Sequence, residues 1–251
     1  MRADKRIGRQ IIFGDYLMTK TNNTADKGNS IPGDSMARKI IRKPANFLLY
    51  HYHKIFTSGK TFEINGKQYP YFYHIHNVTW KNERAVELSV ALESLKKYEG
   101  KRILEIGNVL SHYIPITHDV VDKYEIAKGV INEDVVDYKP SKKYDLILSI
   151  STMEHVGWDE VPKEQNKIPR AIENLKRCLS PGGSIVVTMP FGENPFLDEM
   201  IKKRKIHFRK QYFLKRISKN NDWVQVDLKD IENVKYDSPY RNANGIIIGI
   251  L

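Results

Sequence analysis

The sequence has little cysteine and no long apolar run. Its single cysteine, Cys178, excludes a disulfide framework and a cysteine-rich metal site. No stretch approaches the roughly 20 apolar residues that a membrane-spanning helix needs. The first residues, MRADKRIGRQ, lack the apolar region and small-residue cleavage site of a secretory signal. These absences predict a cytoplasmic protein.

Positive charge, by contrast, is abundant and unevenly distributed. The 251 residues carry a formal net charge of +11, and 41% are hydrophobic, enough for the core of an α/β domain. Residues 1–60 hold twelve Lys and Arg against four Asp and Glu, and residues 201–216, here called the basic segment, hold eight against none. Such clusters suit phosphates, nucleic acid or an anionic membrane surface. A solvated charged face is the alternative.

Three regions follow one another along the chain. Residues 1–35 are polar, rich in Gly, Ser and Asn and without periodicity, which predicts a disordered basic tail. Residues 36–100 form an aromatic-rich N-terminal cap, in which Asn65-Gly66 predicts a β-hairpin turn. A helix follows in the same cap, with Thr79 as its N-cap and Gly100 at its end.

Residues 101–251 alternate between short apolar runs and helical patterns. This alternation predicts an α/β fold with a doubly wound, mainly parallel, seven-stranded Rossmann-like sheet that binds ligands at the carboxyl ends of its strands. Between the fifth and sixth strands, residues 191–222 are expected to form a basic lid-like insertion, or a solvated amphipathic helix. The predicted strands are RILEIG (102–107), HDVVDKY (118–124), GVIN (129–132), YDLILSIS (144–151), SIVVTM (184–189), WVQVDL (223–228) and GIIIGIL (245–251).

The stretch LEIGNVLSHY, residues 104–113, opens like a nucleotide-binding turn but lacks the glycines after Gly107. A dinucleotide lays its pyrophosphate on this turn, and side chains at the later glycine positions obstruct that approach. S-adenosylmethionine has no phosphate and needs a tight turn and an acid on the next strand for its ribose hydroxyls. Gly107 provides the turn and Asp122 the acceptor-only carboxylate; Glu125 is the alternative acid.

From Lys101 to Leu251 the chain resembles a class I S-adenosylmethionine-dependent methyltransferase. The resemblance rests on the order and spacing of four segments: LEIG (104–107), VVD (120–122), NEDVVDYKPSKKYDLILSISTMEHV (132–156) and LKRCLSPGGSIVVTMP (175–190). Their residues Glu154-His155 resemble the E-H-V turn of quinone-biosynthesis, natural-product and sugar-tailoring methyltransferases. The family implies S-adenosyl-L-methionine as cofactor and S-adenosyl-L-homocysteine as product. The implied cofactor-binding residues are Glu105, Gly107, Asn108, Asp122, Asp134 and Ser149, of which Asp134 meets the adenine amine.

His155 is the candidate general base, because it follows the fourth strand and an imidazole titrates near neutral pH. The alternative is that Glu154 and His155 shape the turn or seat the cofactor. The pairs His51/His53 and His74/His76 would each share one face of a strand, but no carboxylate cluster accompanies them, so we expect no metal.

The acceptor is predicted by elimination. The turn after the fourth strand lacks the D/N-P-P-Y/F sequence associated with base amines, and Cys178 lies too far along the chain for cytosine chemistry. We therefore expect methylation of an oxygen, with nitrogen as the second choice, on a small acceptor such as a sugar or glycan precursor, and any phosphate on that acceptor would be attracted to the basic segment. Two alternatives are open: an RNA methyltransferase, or an interaction domain without cofactor. Peripheral contact with an anionic membrane is also expected.

Overall fold

The computed structural model describes residues 36–57 and 59–251, including their side chains except those of residues 36–43 and 45. The chain divides into two compact units, residues 1–45 and 46–251. The described part of the first unit is helical. The predicted disordered tail, residues 1–35, lies outside the described residues. In the part of the chain that the structure describes, no helix is both long enough and apolar enough to cross a bilayer.

Helices and strands alternate through the second unit as the sequence predicts. Three short 3-10 turns, at His76–Lys81, Leu110–His112 and Met153–His155, connect some of them. The helices are α1 (Met36–Phe56), α2 (Arg84–Lys97), α3 (Lys167–Cys178), α4 (Pro195–Lys202) and α5 (Leu228–Ile231). The strands are β1 (Thr61–Ile64), β2 (Lys67–Pro70), β3 (Ile103–Ile106), β4 (Asp119–Val121), β5 (Val130–Ile131), β6 (Tyr144–Ile150), β7 (Leu179–Pro190), β8 (Lys210–Arg216), β9 (Trp223–Val226) and β10 (Gly245–Ile250).

The central sheet confirms the predicted α/β class with a mainly parallel sheet of the Rossmann-like type. Its strand order is β5-β4-β3-β6-β7-β10-β8-β9, and the first five strands are mutually parallel. β10 runs antiparallel to both β7 and β8. The described sheet has eight strands rather than seven, because the basic segment contains β8, a strand that the charge pattern concealed.

Apolar side chains cover both faces of this sheet. On one face, α3 packs Ile168, Ala171 and Leu175 against the strands. On the other, α2 buries Ala85 and Leu88 beside the β1–β2 hairpin. Burial on both faces makes the parallel strands continuous apolar runs, which is why they were readable from the sequence.

The N-terminal cap confirms the hairpin and corrects the helix start. β1 and β2 pair antiparallel through Asn65 and Gly66, both at positive φ (50° and 79°), as a type I′ turn requires. The prediction that Thr79 caps α2 is wrong, since Glu83 occupies the N-cap position. The Thr79 hydroxyl instead donates to the Phe72 carbonyl at 2.7 Å.

The basic segment does not form the predicted lid or amphipathic helix over residues 210–216. These residues are β8, which starts beside Ile250 and ends beside Gly245. Lys210 pairs with Ile250, which in turn pairs with Val186 inside β7, and β8 runs from there toward the carboxyl end of β7 at Pro190. One cation of the segment, Arg216, is 6% exposed and donates to the carbonyls of Ser218 and Arg241.

Candidate functional site

The carboxyl ends of the parallel strands bring the predicted site residues to one edge of the sheet. The chain passes from β3 to β4 on one side, while β6 pairs with β3 on the other. This reversal is the topological switch point at which α/β sheets bind ligands. The segments that follow β3, β4 and β6 therefore form the candidate site.

The backbone N–H groups of the loop after β3 donate hydrogen bonds to acceptors within the protein. The amide of Gly107 donates to the Val121 carbonyl at 2.8 Å, and that of Asn108 to Asp122 Oδ2 at 3.0 Å. The amides of Val109 and Leu110 both donate to Glu105 Oε1, at 2.9 and 2.8 Å. Phosphate binding by such a loop needs amides directed at the ligand. The four consecutive amides of residues 107–110 are thus unsuited to a pyrophosphate.

Glu105 acts inside the protein in this arrangement. Its side chain is fully buried, and its second oxygen, Oε2, lies 2.9 Å from His118 Nε2. The carboxylate therefore ties the loop to the start of β4. The structure places the predicted cofactor residue Glu105 beneath the loop, where it shapes the path that the chain takes after Gly107.

Gly107 occupies a position that no other residue suits. Its φ is +84°, and a Cβ built there would lie 2.2 Å from Thr152 Oγ1. The loop after β3 thus packs directly on the turn after β6. This contact joins two of the segments that the sequence predicts to bind the cofactor.

We expect Gly107→Ala to lower the free energy of unfolding by about 3 kcal/mol, since it combines backbone strain with a steric clash. Gly129→Ala is the matched control, because Gly129 has φ +86° but open space around its Cβ position. Its cost should be only the strain, roughly 1 kcal/mol. Urea unfolding of both variants measures the difference, and equal losses would contradict the close packing of Thr152 on Gly107.

Asp122 lies at the end of β4, as predicted, and organises the adjoining loop. Its Oδ1 accepts hydrogen bonds from the amides of Tyr124 and Glu125, each at 2.8 Å, and Oδ2 accepts the amide of Asn108. Asn108, which is 3% exposed, directs its side chain to Glu125 Oε1 at 2.5 Å. A carboxylate offers about four acceptor positions, so Asp122 retains capacity for a ribose hydroxyl.

The other predicted cofactor residues have different surroundings. Asp134 forms ion pairs with Lys167 at 2.6 Å and Lys123 at 2.9 Å. Burial works against ionisation here, but the hydrogen bonds from these two lysines lower the pKa of Asp134. Ser149 is fully buried next to the end of β6, and no described group hydrogen-bonds to its hydroxyl. Asp134 thus holds two cations, while Ser149 carries an unsatisfied polar atom.

The turn after β6 carries the two predicted catalytic residues. His155 Nδ1 lies 2.9 Å from Asp159 Oδ2, and its Nε2 lies 3.7 Å from Glu154 Oε1. Burial disfavours the imidazolium, but the hydrogen bond to Asp159 and the charge of Glu154 prevail and raise the pKa of His155 to about 9. The raised pKa favours the imidazolium form of His155 at neutral pH.

Glu154 directly precedes His155 in the turn after β6 and is fully buried. Neither of its carboxylate oxygens has a hydrogen-bond partner among the described residues. Burial is the main cause that raises the pKa of Glu154 well above its usual range, with further contributions from Glu193 and Glu87 against the opposing charge of His155. The turn itself is held in place, since Asn194 Nδ2 donates to the Glu154 backbone carbonyl at 2.6 Å.

Further carboxyl groups surround Glu154, and we call Glu83, Glu87, Glu154 and Glu193 the acid cluster. Glu87 is fully buried and receives hydrogen bonds from Ser151 Oγ at 2.6 Å and Arg84 NH1 at 2.7 Å. Burial and the charge of Glu87 raise the pKa of Glu83 to about 7. Burial likewise raises the pKa of Glu193. The cluster thus joins the first turns of α2 to the segments after β6 and β7.

Aromatic rings stand beside the loop after β3. The rings of His76 and His112 stack at 5.2 Å, and the Tyr113 ring meets those of His74 and His76 edge-on at 5.3 and 5.1 Å. Burial raises the pKa of Tyr113, which lies near Arg84. These rings provide flat surfaces next to the acid cluster.

The histidine pairs do not have the strand geometry that the sequence predicts. His51 and His53 lie in α1, where an i, i+2 spacing places side chains on different faces. His76 begins a 3-10 turn, and its amide donates to His74 Nδ1 at 3.1 Å. Among the described residues, no group of three or more His, Cys, Asp or Glu is arranged to hold a metal ion.

Sequence analysis missed Glu87, Glu193 and His118. Glu87 carried a usable signal, because it is a carboxylate within the buried apolar face of α2, where unpaired charges are rare. Glu193 and His118 carried none, since their partners are distant in sequence. Their roles depend on which strands become neighbours.

Comparison with known proteins finds likeness at the level of structure only. No protein-family model and no curated protein sequence matches the chain. Solved structures similar to it include methyltransferases. The N-methyltransferase NodS from Bradyrhizobium japonicum WM9, in complex with S-adenosyl-L-homocysteine, has a TM-score of 0.41 and 12% identity, over 67% of this chain and 85% of NodS.

Two further structures give similar values. A methyltransferase from Clostridium acetobutylicum ATCC 824 has a TM-score of 0.36 and 9% identity, over 82% of this chain and 98% of its own. TehB from Haemophilus influenzae has a TM-score of 0.36 and 12% identity, over 64% of this chain and 60% of TehB. At these values nothing about the activity, acceptor or partners of this chain follows from the likeness.

Proposed function

We propose that the protein transfers a methyl group from S-adenosyl-L-methionine to an oxygen or nitrogen of a small acceptor. The observation that carries this proposal is the loop after β3, whose four amides at residues 107–110 all bond to protein acceptors. These amides are therefore not available to bind a phosphate group, which favours a cofactor without phosphate at this switch point. The surplus of carboxyl groups nearby favours a cationic cofactor over an anionic dinucleotide.

The residues present suit S-adenosylmethionine. Asp122 would accept a ribose hydroxyl at its remaining position, and the loop from Gly107 to Val109 would pass beside the methionine part. Bound there, the cofactor supplies an electrophilic methyl group on a sulfonium. The role of the protein is to position the acceptor, exclude water and accept a proton.

The acceptor is proposed to be a small molecule such as a sugar or glycan precursor. The aromatic rings of His76, His112 and Tyr113 suit such a ligand, because flat rings pack on sugar faces while their polar atoms bond hydroxyls. The exposed cations at 202–205 belong to the basic segment and lie at the end of α4 and directly after it. Contact of these cations with a phosphorylated acceptor or an anionic membrane stays a prediction.

We expect S-adenosylhomocysteine to stabilise the protein and NAD to leave its melting temperature unchanged. At one hundred times the dissociation constant, binding adds about 2.7 kcal/mol, which corresponds to roughly 5 to 10 °C. Asp122→Asn should weaken binding at least tenfold, because it removes the charged ribose acceptor while keeping an oxygen for the amides of Tyr124 and Glu125.

Calorimetric titration measures these affinities, with Asp137→Asn as the control because Asp137 is exposed. Unchanged affinity in Asp122→Asn would contradict the ribose assignment. Absence of binding by S-adenosylmethionine and S-adenosylhomocysteine would favour the interaction-domain alternative. RNA affinity that falls steeply with salt would favour the RNA methyltransferase.

A further inference from the structure

Glu154 is a fully buried carboxyl group whose oxygens lack hydrogen-bond partners among the described residues. The ion-pair contact with His155 Nε2, at 3.7 Å from Oε1, is too long for a hydrogen bond. Burying a carboxyl group without hydrogen-bond partners costs several kcal/mol, whether it is ionised or protonated. Local disorder does not explain the arrangement, because Asn194 anchors the backbone of the same residue. A fixed backbone and an unsatisfied carboxyl group together indicate a group that binds a ligand.

The charges around Glu154 specify the sign of that ligand. Two cations, Arg84 and His155, lower the pKa values within the acid cluster. Each already has another partner: Arg84 donates to Glu87, and His155 Nδ1 lies 2.9 Å from Asp159. The four carboxyl groups of the cluster outnumber these two described cations, and burial together with mutual repulsion raises the pKa of three of them. A positively charged ligand would favour their ionised forms, so the ligand that fits here carries positive charge.

The hydrogen-bonding groups of the acid cluster further limit the chemical class of its ligand. The described residues contain no group of three or more ligands arranged for a metal ion. An ammonium group carries three N–H donors and no acceptor, which matches the unsatisfied Glu154 oxygens. The shared chemistry is therefore a cationic nitrogen.

The position of Glu154 relates this nitrogen to the methyl transfer. Thr152, two residues earlier in the same turn, packs against Gly107 in the loop after β3. The acid cluster thus adjoins the loop that the proposed cofactor follows. A cation held by Glu154 lies next to the cofactor and not on a separate surface.

We propose that the acid cluster binds the ammonium group of an amine acceptor, and that Glu154 takes the proton that this nitrogen loses before methylation. The inference rests on the proposed methyltransferase function and selects nitrogen over oxygen as the methylated atom. Arg84 donates to Glu87 and so orients a neighbouring carboxyl group of the cluster.

The chemistry balances without a further reactant. The acceptor R–NH3+ gives one proton to the Glu154 carboxylate, which frees the nitrogen lone pair. That pair forms the new N–C bond as the S–C bond breaks and its electrons remain on sulfur. The products are R–NH2–CH3+, the thioether S-adenosylhomocysteine and one proton, which Glu154 releases to solvent.

The test uses a probe that carries an amine at the position of the transferred methyl group. Sinefungin is such an analogue, with an amine-bearing carbon in place of the methyl sulfonium, whereas S-adenosylhomocysteine is neutral there. We expect the full-length protein to bind sinefungin at least tenfold more tightly than S-adenosylhomocysteine in calorimetric titrations. Glu154→Gln should reduce this preference to less than twofold and leave the affinity for S-adenosylhomocysteine unchanged.

Asp198→Asn is the matched control. Asp198 is also a buried carboxyl group close to Glu193, but it accepts hydrogen bonds from the Gly192 amide at 3.1 and 3.2 Å. The control should retain the tenfold preference. Circular dichroism and melting of each variant establish that it is folded.

The remaining outcomes overturn the inference in different ways. An equal preference in the wild type and Glu154→Gln would mean that Glu154 does not face the methyl position. Parallel loss of both affinities in Glu154→Gln would assign the carboxylate to the ammonium of the cofactor itself and not to an acceptor. Failure of the wild type to bind either probe would instead refute the methyltransferase proposal, and the inference with it.

Discussion

Replacement of Glu105 by alanine is expected to lower the melting temperature by roughly 10 °C, from a loss of about 3 to 5 kcal/mol. Its carboxylate is fully buried and accepts the amides of Val109 and Leu110 together with a contact to His118. Alanine leaves both amides without their acceptor in the protein interior. Differential scanning calorimetry of the purified variant measures the change.

Glu105→Gln separates this structural role from cofactor binding. Glutamine keeps one oxygen that accepts both amides, so its cost should be about 1 to 2 kcal/mol. Its affinity for S-adenosylhomocysteine should stay close to that of the wild type. A melting temperature of Glu105→Ala within 2 °C of the wild type would contradict the internal role, on the rough scale of 2 to 4 °C per kcal/mol for a domain of this size.

Alkaline solution is expected to destabilise the protein, with a melting temperature that falls by roughly 10 °C between pH 5 and pH 9. Burial raises the pKa of Glu83 to about 7 and that of Glu154 in the same direction. His155, despite burial, has its pKa raised to about 9 by Asp159 and Glu154. Since each folded-state pKa exceeds its unfolded value, the unfolded state loses its protons first as the pH rises.

The stability from each group is present below its unfolded pKa and disappears as the pH passes its folded pKa. The stability contributed by Glu83 is therefore lost mainly between pH 4.5 and about 7, and that contributed by His155 between pH 6.5 and about 9. The melting temperature of Glu83→Gln should vary less between pH 4.5 and about 7, and that of His155→Asn should vary less between pH 6.5 and about 9. A wild-type melting temperature that stays constant or rises from pH 5 to pH 9 would refute this account.

The strands were predictable where burial leaves a local pattern. β3, β6 and β7 are continuous apolar runs because both sheet faces are covered. β8 was missed because its sequence KQYFLKR has cations at both ends and lies in a segment that contains no acid. The Asn65-Gly66 turn was predictable because positive φ at both positions requires such residues.

In the candidate site, too, the sequence predicts some residue positions but not the contacts between residues. Asp122 directly follows β4 and Glu154 lies in the turn after β6, so their place at the ligand edge follows from strand polarity. Hydrogen-bond partners do not follow, because they join residues far apart in the chain. The sequence predicts Asp134 at an adenine amine, and the structure adds its ion pairs with Lys123 and Lys167. The sequence predicts Glu105 at the cofactor, and the structure adds the amides of its own loop that it accepts.

The sequence by itself determined the class of fold, the turn at Gly107 and the acids at the ends of the strands, because apolar periodicity and strand polarity are local properties. Only the tertiary structure decided that the loop amides are already satisfied and that Glu83, Glu87, Glu154 and Glu193 share one buried region. Burial and charge proximity depend on which elements pack together. These two quantities set the pKa values and the ligand preference of the site.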